Sequence, residues 1–123
     1  MARDGETIHR ILAETVDRHV RIIFNGVTVA DSTRPILMTE GGLTPVYYFP
    51  RADVRMDLME RTSHKTHCPF KGDAAYWSLS AGGRSVENAA WSYEDPIEES
   101  AAIKGCLAFY LDRLDTAYDE GGD

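Results

Sequence analysis

Apolar and polar residues alternate along much of the chain, and Gly, Pro and one Asn-Gly pair interrupt them at short intervals. The exception comes first. Across residues 7–16, Ile8, Ile11, Leu12, Thr15 and Val16 fall at helical spacing with polar residues between them, which predicts a short amphipathic helix. The period then switches to two. Val20, Ile22 and Phe24 alternate, Asn25-Gly26 follows, and Val27 and Val29 alternate again. Asn-Gly between two alternating runs predicts a type I′ hairpin, whose two central residues both need positive φ. In that hairpin Phe24 faces Val27, Ile22 faces Val29, and all four share one sheet face.

Residues 36–40 and 45–49 read as strands joined by a turn at Gly41-Gly42, with Pro45 at a strand's first position and Pro50 as its stop. Val54, Met56 and Leu58 alternate and predict a strand over 54–60; Met59 departs from the pattern and leaves a helical turn as the competing reading. Residues 74–80 and 84–93 flank Gly82-Gly83 and predict a second hairpin. Asp95-Pro96 followed by Glu98 and Glu99 predicts a helix start, with an acceptor at the N-cap, proline in the first position and acids in the first turn. Residues 106–110 form a last apolar strand. The whole predicts a single, mainly β, antiparallel domain with one or two short helices. It divides into an N-terminal extension over 1–16, the β domain over 17–116 and an acidic tail over 117–123 that frays.

Composition fits this picture. A chain of 123 residues with 43% hydrophobic and 27% charged residues can bury one core and is not disordered. Two cysteines cannot form a disulfide framework. No run approaches the roughly 18 apolar residues of a membrane span, and the charged opening is no signal peptide, so a soluble cytoplasmic protein is expected. The net charge of −7 is lopsided. From Glu94 onward there are 9 acids against 2 bases, Lys104 and Arg113, so the excess sits in the last 30 residues. A phosphate backbone would be repelled there, and no Lys/Arg cluster compensates, so no nucleic-acid partner is expected.

The chemistry-bearing residues concentrate in two segments. Cys68, Lys71, Tyr76 and Trp77 fall within ten residues, and Trp91 and Tyr93 follow on the second hairpin. Lys71 or His67 beside Cys68 would lower a thiol pKa and make a nucleophile; a buried cysteine acting as a small apolar residue is the simpler reading. His64, His67, Cys68 and Cys106 lack the paired spacing of a zinc site, so no metal and no cofactor are expected. Alternation puts Trp91 and Tyr93 on one sheet face, and Tyr47 and Phe49 opposite Tyr48. Pairing around Gly82-Gly83 places Tyr76 or Trp77 near residues 86–88 rather than opposite Trp91. Glu40, Asp53, Glu87 and Asp95 are acids without a partner that the sequence identifies, and no serine has a nucleophile-elbow context.

Several stretches are longer than chance allows. They are Val20-Arg21-Ile22-Ile23-Phe24-Asn25-Gly26, Val46-Tyr47-Tyr48-Phe49-Pro50, Thr66-His67-Cys68-Pro69-Phe70-Lys71-Gly72-Asp73-Ala74-Ala75-Tyr76-Trp77, and Ala90-Trp91-Ser92-Tyr93-Glu94-Asp95-Pro96. In this order the chain resembles the bacterial domain of unknown function 427 family from about Val20 to Asp115, with the first 16 residues outside the likeness. The resemblance implies a compact β-tent architecture, related to methionine sulfoxide reductase B, Yippee and the ligand-binding domain of cereblon. Many of those relatives hold zinc with two Cys-x-x-Cys knuckles, which this chain lacks. The family sometimes carries a nucleotidyltransferase label, but no Gly-Ser with a paired Asp-x-Asp and no P-loop supports it here. Fold likeness transfers no activity.

Two functions stay open. One is a binding module with an aromatic cleft for a small anionic or planar ligand, formed from Arg34, Tyr47, Cys68, Lys71, Tyr76, Trp77, Trp91 and Tyr93, with Arg34 or Lys71 as the polar anchor. The other is a small enzyme using Cys68, Lys71 or Tyr93. The residues do not fix the oligomeric state.

Overall fold

A computed structural model describes residues 11–114 and 116–119. Among the described residues ten strands make three antiparallel sheets: β1 (Ile11–Thr15), β2 (Val20–Phe24), β3 (Val27–Ser32), β4 (Ile36–Glu40), β5 (Val46–Tyr48), β6 (Met59–Cys68), β7 (Gly72–Ala81), β8 (Arg84–Ser92), β9 (Ala108–Phe109) and β10 (Thr116–Asp119). The sheet orders are β1-β4-β5, β10-β2-β3 and β6-β7-β8-β9. Among the described residues the helical segments are short 3-10 turns at Arg51–Asp53, Met56–Leu58, Glu98–Ile103 and Leu111–Arg113. The mainly β expectation holds. No described helix is long and apolar enough to cross a membrane.

The Asn25-Gly26 hairpin forms as the sequence predicts, with φ of 52° and 78° at its two central residues. Asn25 also donates from Nδ2 to the carbonyls of Ala81 (2.9 Å) and Gly82 (3.1 Å), tying this tip to the tip of the β7-β8 hairpin. Phe24 faces Val27 as expected, but Ile22 faces Ala30, not Val29. One extra residue bulges β3 beside Ile22 and Ile23, and in consequence both Val29 and Ala30 are buried.

Five further expectations are corrected. Residues 11–15 are a strand, not part of a helix; they pair with β4 from Ile11↔Glu40 to Thr15↔Ile36, and this sheet pairing overrides a weak helical pattern. Residues 7–10 of the expected helix lie outside the described residues. Residues 54–58 are not a strand: Val54 makes a single bridge to Ala30, Leu58 N–H then closes a turn on Arg55 O (3.0 Å), and β6 begins at Met59. The helix start is not at Asp95-Pro96, because extended Ile97 is the N-cap and its N–H is taken by Lys71 O (2.9 Å). Of residues 106–110 only Ala108–Phe109 form a strand, with Leu107 bridging to Phe49. The expected tail over 117–123 is also partly structured, since Thr116–Asp119 add a strand to β2; residues 120–123 lie outside the described residues.

β7 is the centre of the molecule and is buried on both faces. Ala75, Trp77 and Leu79 pack into one core with Phe24, Val29 and Phe49, while Ala74 and Tyr76 pack into a second with Met38, Tyr48, Tyr93 and Ile103. β5 alternates in the same way, sending Tyr47 and Phe49 to the first core and Tyr48 to the second. Phe49 and Phe109 meet edge to face at 5.8 Å in the first core.

Both strands beside β7 bulge at its middle. Leu79 pairs with Val86 but Trp77 pairs with Ala90, leaving three residues of β8 opposite Ser78. On the other side Arg61 pairs with Trp77 and Lys65 with Ala75, leaving three residues of β6 opposite Tyr76. Asn88 sits in the β8 bulge at φ 53°. Its N–H donates to Ser78 Oγ (3.2 Å), and its Oδ1 accepts from Thr62 Oγ1 of the other bulge (2.7 Å). The shift corrects the expected register, since Tyr76 stands directly opposite Trp91.

Candidate functional site

The second core contains one side chain that apolar packing does not explain. Lys71 ends a turn that its own N–H closes on Cys68 O (3.1 Å), and its carbonyl accepts from Ile97 N–H (2.9 Å), so its backbone is fixed on both sides. Gly72 follows at φ +117°, where a side chain is strained and an added Cβ would sit 3.4 Å from Pro96 Cα. The Lys71 side chain is only 10% exposed; its Nζ donates to Glu40 Oε1 at 2.5 Å, and Glu40 is 13% exposed. Glu40 is the last residue of β4, where Gly41 (φ 54°) turns the chain and Leu43 N–H closes on Glu40 O (2.9 Å). Removing two charges from water costs about as much as their attraction returns, so such a pair is a poor device for stability.

Aromatic rings surround this pair. Lys71 Nζ lies 5.8 Å from the centroid of the Tyr93 ring. Tyr48 is 2% exposed; its hydroxyl accepts from Trp91 Nε1 (3.2 Å), and the two rings meet edge to face at 6.3 Å. Burial pushes the Tyr48 phenol up to about 12, the Trp91 hydrogen bond pulling the other way and Glu40 adding to the rise. Burial also pushes the Tyr93 phenol well above its ordinary value, with Tyr48 a smaller contributor. Both are therefore neutral hydroxyl donors at physiological pH. Tyr76 shares a hydrogen bond with Thr66 Oγ1 (2.9 Å) and stacks on Tyr110 at 6.4 Å, while Trp91 leans on Tyr110 at 4.5 Å. His64, from the β6 bulge, covers Tyr76 at 4.5 Å.

These side chains wall a cavity of about 220 Å³, lined among others by Glu40, Tyr48, Lys71, Tyr76, Trp91 and Tyr93. A second cavity of about 370 Å³ adjoins it and is mostly apolar, with Val20, Ile22, Val46, Phe49, Phe109 and Leu111 in its lining. The two share Thr44, Val46, Trp91 and Tyr110.

Of the residues singled out in the sequence, Lys71, Tyr76, Trp91 and Tyr93 line the smaller cavity. Tyr47 lines the larger one, its hydroxyl accepting from Arg18 Nη1 (2.9 Å). Trp77 points to the opposite core, under the guanidinium groups of Arg51 (5.2 Å) and Arg61 (5.4 Å), both of which bind Glu94. Arg34 is exposed before β4, with its backbone N–H on Ser32 Oγ (3.1 Å), and lines neither cavity. Cys68 packs half-buried against the second core and also lines neither cavity. Its two sequence neighbours are engaged elsewhere, His67 on Asp73 (2.7 Å) and Lys71 on Glu40. Cys68 and Cys106 are not joined. Among the described residues no three His, Cys, Asp or Glu side chains converge as a metal site requires.

Sequence reasoning missed Glu40, Tyr48 and Tyr110 as members of this group. A signal existed for Tyr48, which alternation sends to the face opposite Tyr47. None existed for Glu40, whose partner lies 31 residues away.

No curated protein matches the chain. A family model described as a domain of unknown function, DUF427, matches residues 12–120. The match takes in β1, which the sequence likeness left outside, and reaches through β10. With the described fold lying almost wholly inside that span, the chain belongs to the domain of unknown function 427 family.

Proposed function

We propose that this domain is a binding module that takes a small planar ligand into the cleft walled by Tyr76, Trp91, Tyr93 and Tyr110. The observation that carries the reading is the near-buried Lys71–Glu40 pair set among aromatic rings at a cavity. A core needed only for packing is better served by aliphatic side chains, and a buried ion pair adds little stability of its own. Flat aromatic walls with a few convergent polar groups suit a ring that stacks and is oriented by hydrogen bonds. Catalysis by Cys68, Lys71 or Tyr93 has less support: the two side chains that would activate Cys68, His67 and Lys71, are bound to Asp73 and Glu40, and the Tyr93 phenol holds its proton. The reading places the module in the bacterial cytoplasm, and its acidic charge argues against a nucleic-acid partner.

The chain has two tryptophans, Trp77 and Trp91, on opposite faces of the β6-β9 sheet, so each can be made to report alone. In a fluorescence screen of planar heterocycles and small anions, the Trp77→Phe variant should respond and the Trp91→Phe variant should not. A screen in which no compound perturbs Trp91 at millimolar concentration overturns the reading.

A further inference from the structure

Resting on that reading, we infer that the two adjoining cavities form one site, and that its ligand is an uncharged amphiphile: an apolar ring body in the larger cavity, bearing one neutral hydrogen-bond acceptor, such as a carbonyl oxygen, directed at Tyr93 and Lys71.

The first argument is a count of donors. Lys71 has three N–H donors and one acceptor among the described residues, Glu40. Tyr93, only 7% exposed, lines the smaller cavity, and its hydroxyl has no hydrogen-bond partner among the described residues. Tyr48 accepts from Trp91, but its own proton finds no described acceptor. The smaller cavity thus presents several unmatched donors, and a ligand group that only accepts would satisfy them. A ligand whose polar group only donates would leave these ones unmatched, which costs binding.

The second argument is charge. The acidic and basic side chains lining the two cavities are Lys71, Glu40 and Asp112, one cation against two carboxylates. Lys71 is already neutralised by Glu40 at 2.5 Å. A carboxylate or phosphate would meet net negative charge, so the acceptor must be neutral.

The third argument is continuity. Trp91 and Tyr110 line both cavities, as do Thr44 and Val46, so a body resting on the Trp91 indole reaches either side of it. The larger volume, about 370 Å³ and walled by aliphatic and aromatic side chains, is within the range of small-molecule sites, roughly 300–1,000 Å³. Its wall is mostly apolar, with Asp112 its one charged side chain, and the smaller cavity supplies the hydrogen-bond donors that would orient a ligand.

The test uses three probes of one shape: 2-acetylnaphthalene, 2-naphthoate and naphthalene. Dissociation constants are read from the indole N–H signal of Trp91 in a ¹H–¹⁵N titration. The expected result is that 2-acetylnaphthalene binds at least ten times more tightly than either of the others. Tyr93→Phe should cut its preference over naphthalene at least fivefold. Leu111→Asp, at an exposed position of the larger cavity's lining, should weaken 2-acetylnaphthalene and naphthalene in step. Equal or tighter binding of 2-naphthoate, no preference over naphthalene, or indifference to Tyr93→Phe overturns the inference. If none of the three binds while planar heterocycles still act on Trp91, the inference falls and the cleft reading stands. If nothing acts on Trp91, both fall.

Discussion

The Lys71–Glu40 pair offers the sharpest test of whether this region is built for folding or for recognition. Both side chains are about nine-tenths buried. Replacing either one alone leaves the other as an uncompensated, largely buried charge, which costs about 3 kcal/mol, the lower end of the range for buried pairs. For a domain of this size that is a fall of roughly 10–15 °C in the thermal midpoint. Replacing both by methionine removes both charges and keeps similar volume, so the double variant should come back to within about 1 kcal/mol of the parent. Lys71→Met, Glu40→Met and the double variant should be compared by urea unfolding followed through tryptophan fluorescence, with the slope checked for constancy. The expected pattern is two costly single changes and a strongly non-additive double one. Two single changes that each cost under about 1 kcal/mol and simply add would refute the reasoning, because they describe a solvated pair of the surface type. A double variant that is as stable as the parent yet no longer responds to planar ligands would locate the pair's purpose in binding.

Three further outcomes follow from the geometry. The Tyr48 phenol titrates near 12 in the folded protein against about 10 when unfolded, so between those values the unfolded chain has lost the proton first; Tyr48 should account for a fall in stability of about 2–3 kcal/mol between pH 10 and pH 12, Tyr93, raised by the same burial, should deepen that fall, and Tyr48→Phe should remove only the Tyr48 share from a pH–stability curve. Asn88→Gly should cost about 1 kcal/mol in urea unfolding through the lost Thr62 hydrogen bond, and Asn88→Ala about 1 kcal/mol more because alanine resists φ near +53°, a reversal of the usual strand preference. Gly82→Ala should lower the urea midpoint by the equivalent of about 1–3 kcal/mol, since φ is +60° and the new Cβ collides with Asn25 Nδ2, which holds the two hairpin tips together; Gly83→Ala, with open space around it, should cost only the strain of its own positive φ.

What the sequence reveals and what it hides divides along the range of the interaction. The Asn25-Gly26 hairpin is legible because the turn's φ demand and the flanking alternation are local. The alternation of Tyr47, Tyr48 and Phe49 between two cores is legible for the same reason. β1 is not, because Ile11 and Ala13 face inward while Leu12 is exposed, and an alanine gives a weak period-two signal beside two adjacent branched residues. Lys71 stands out in the sequence as a charge within an aromatic stretch, but Glu40 is one acid of 20 until the sheets are assembled. The bulges are the least legible feature. They follow from how β6 and β8 fit against β7, and only Asn88, tolerant of positive φ, marks one of them in the chain.

Those bulges decide whether there is a site at all. A slip of one residue turns every side chain beyond it to the other face of a sheet. The β2-β3 bulge does this, and the two adjacent residues Val29 and Ala30 are both buried as a result. Around β7 the offsets change by two: Trp77↔Ala90 replaces the Trp77↔Asn88 pair that continues from Leu79↔Val86, and on the other side Arg61↔Trp77 gives way to Lys65↔Ala75. A shift of two preserves the inward and outward pattern while sliding the neighbouring strand by about 7 Å. Had β8 continued in its hairpin register, Ala89 would oppose Tyr76, and Trp91 would lie one pleat further along. The shift instead sets Trp91 beside Tyr76, and the matching shift in β6 brings Thr66 onto the Tyr76 hydroxyl and His64 over its ring. A hydrophobic core asks for the right face, which either register supplies. The alignment of Trp91 with Tyr76 across one strand pair, with the Asn88–Thr62 hydrogen bond joining the two bulges, is something that packing alone does not require, and it is this alignment that gives the cleft its walls.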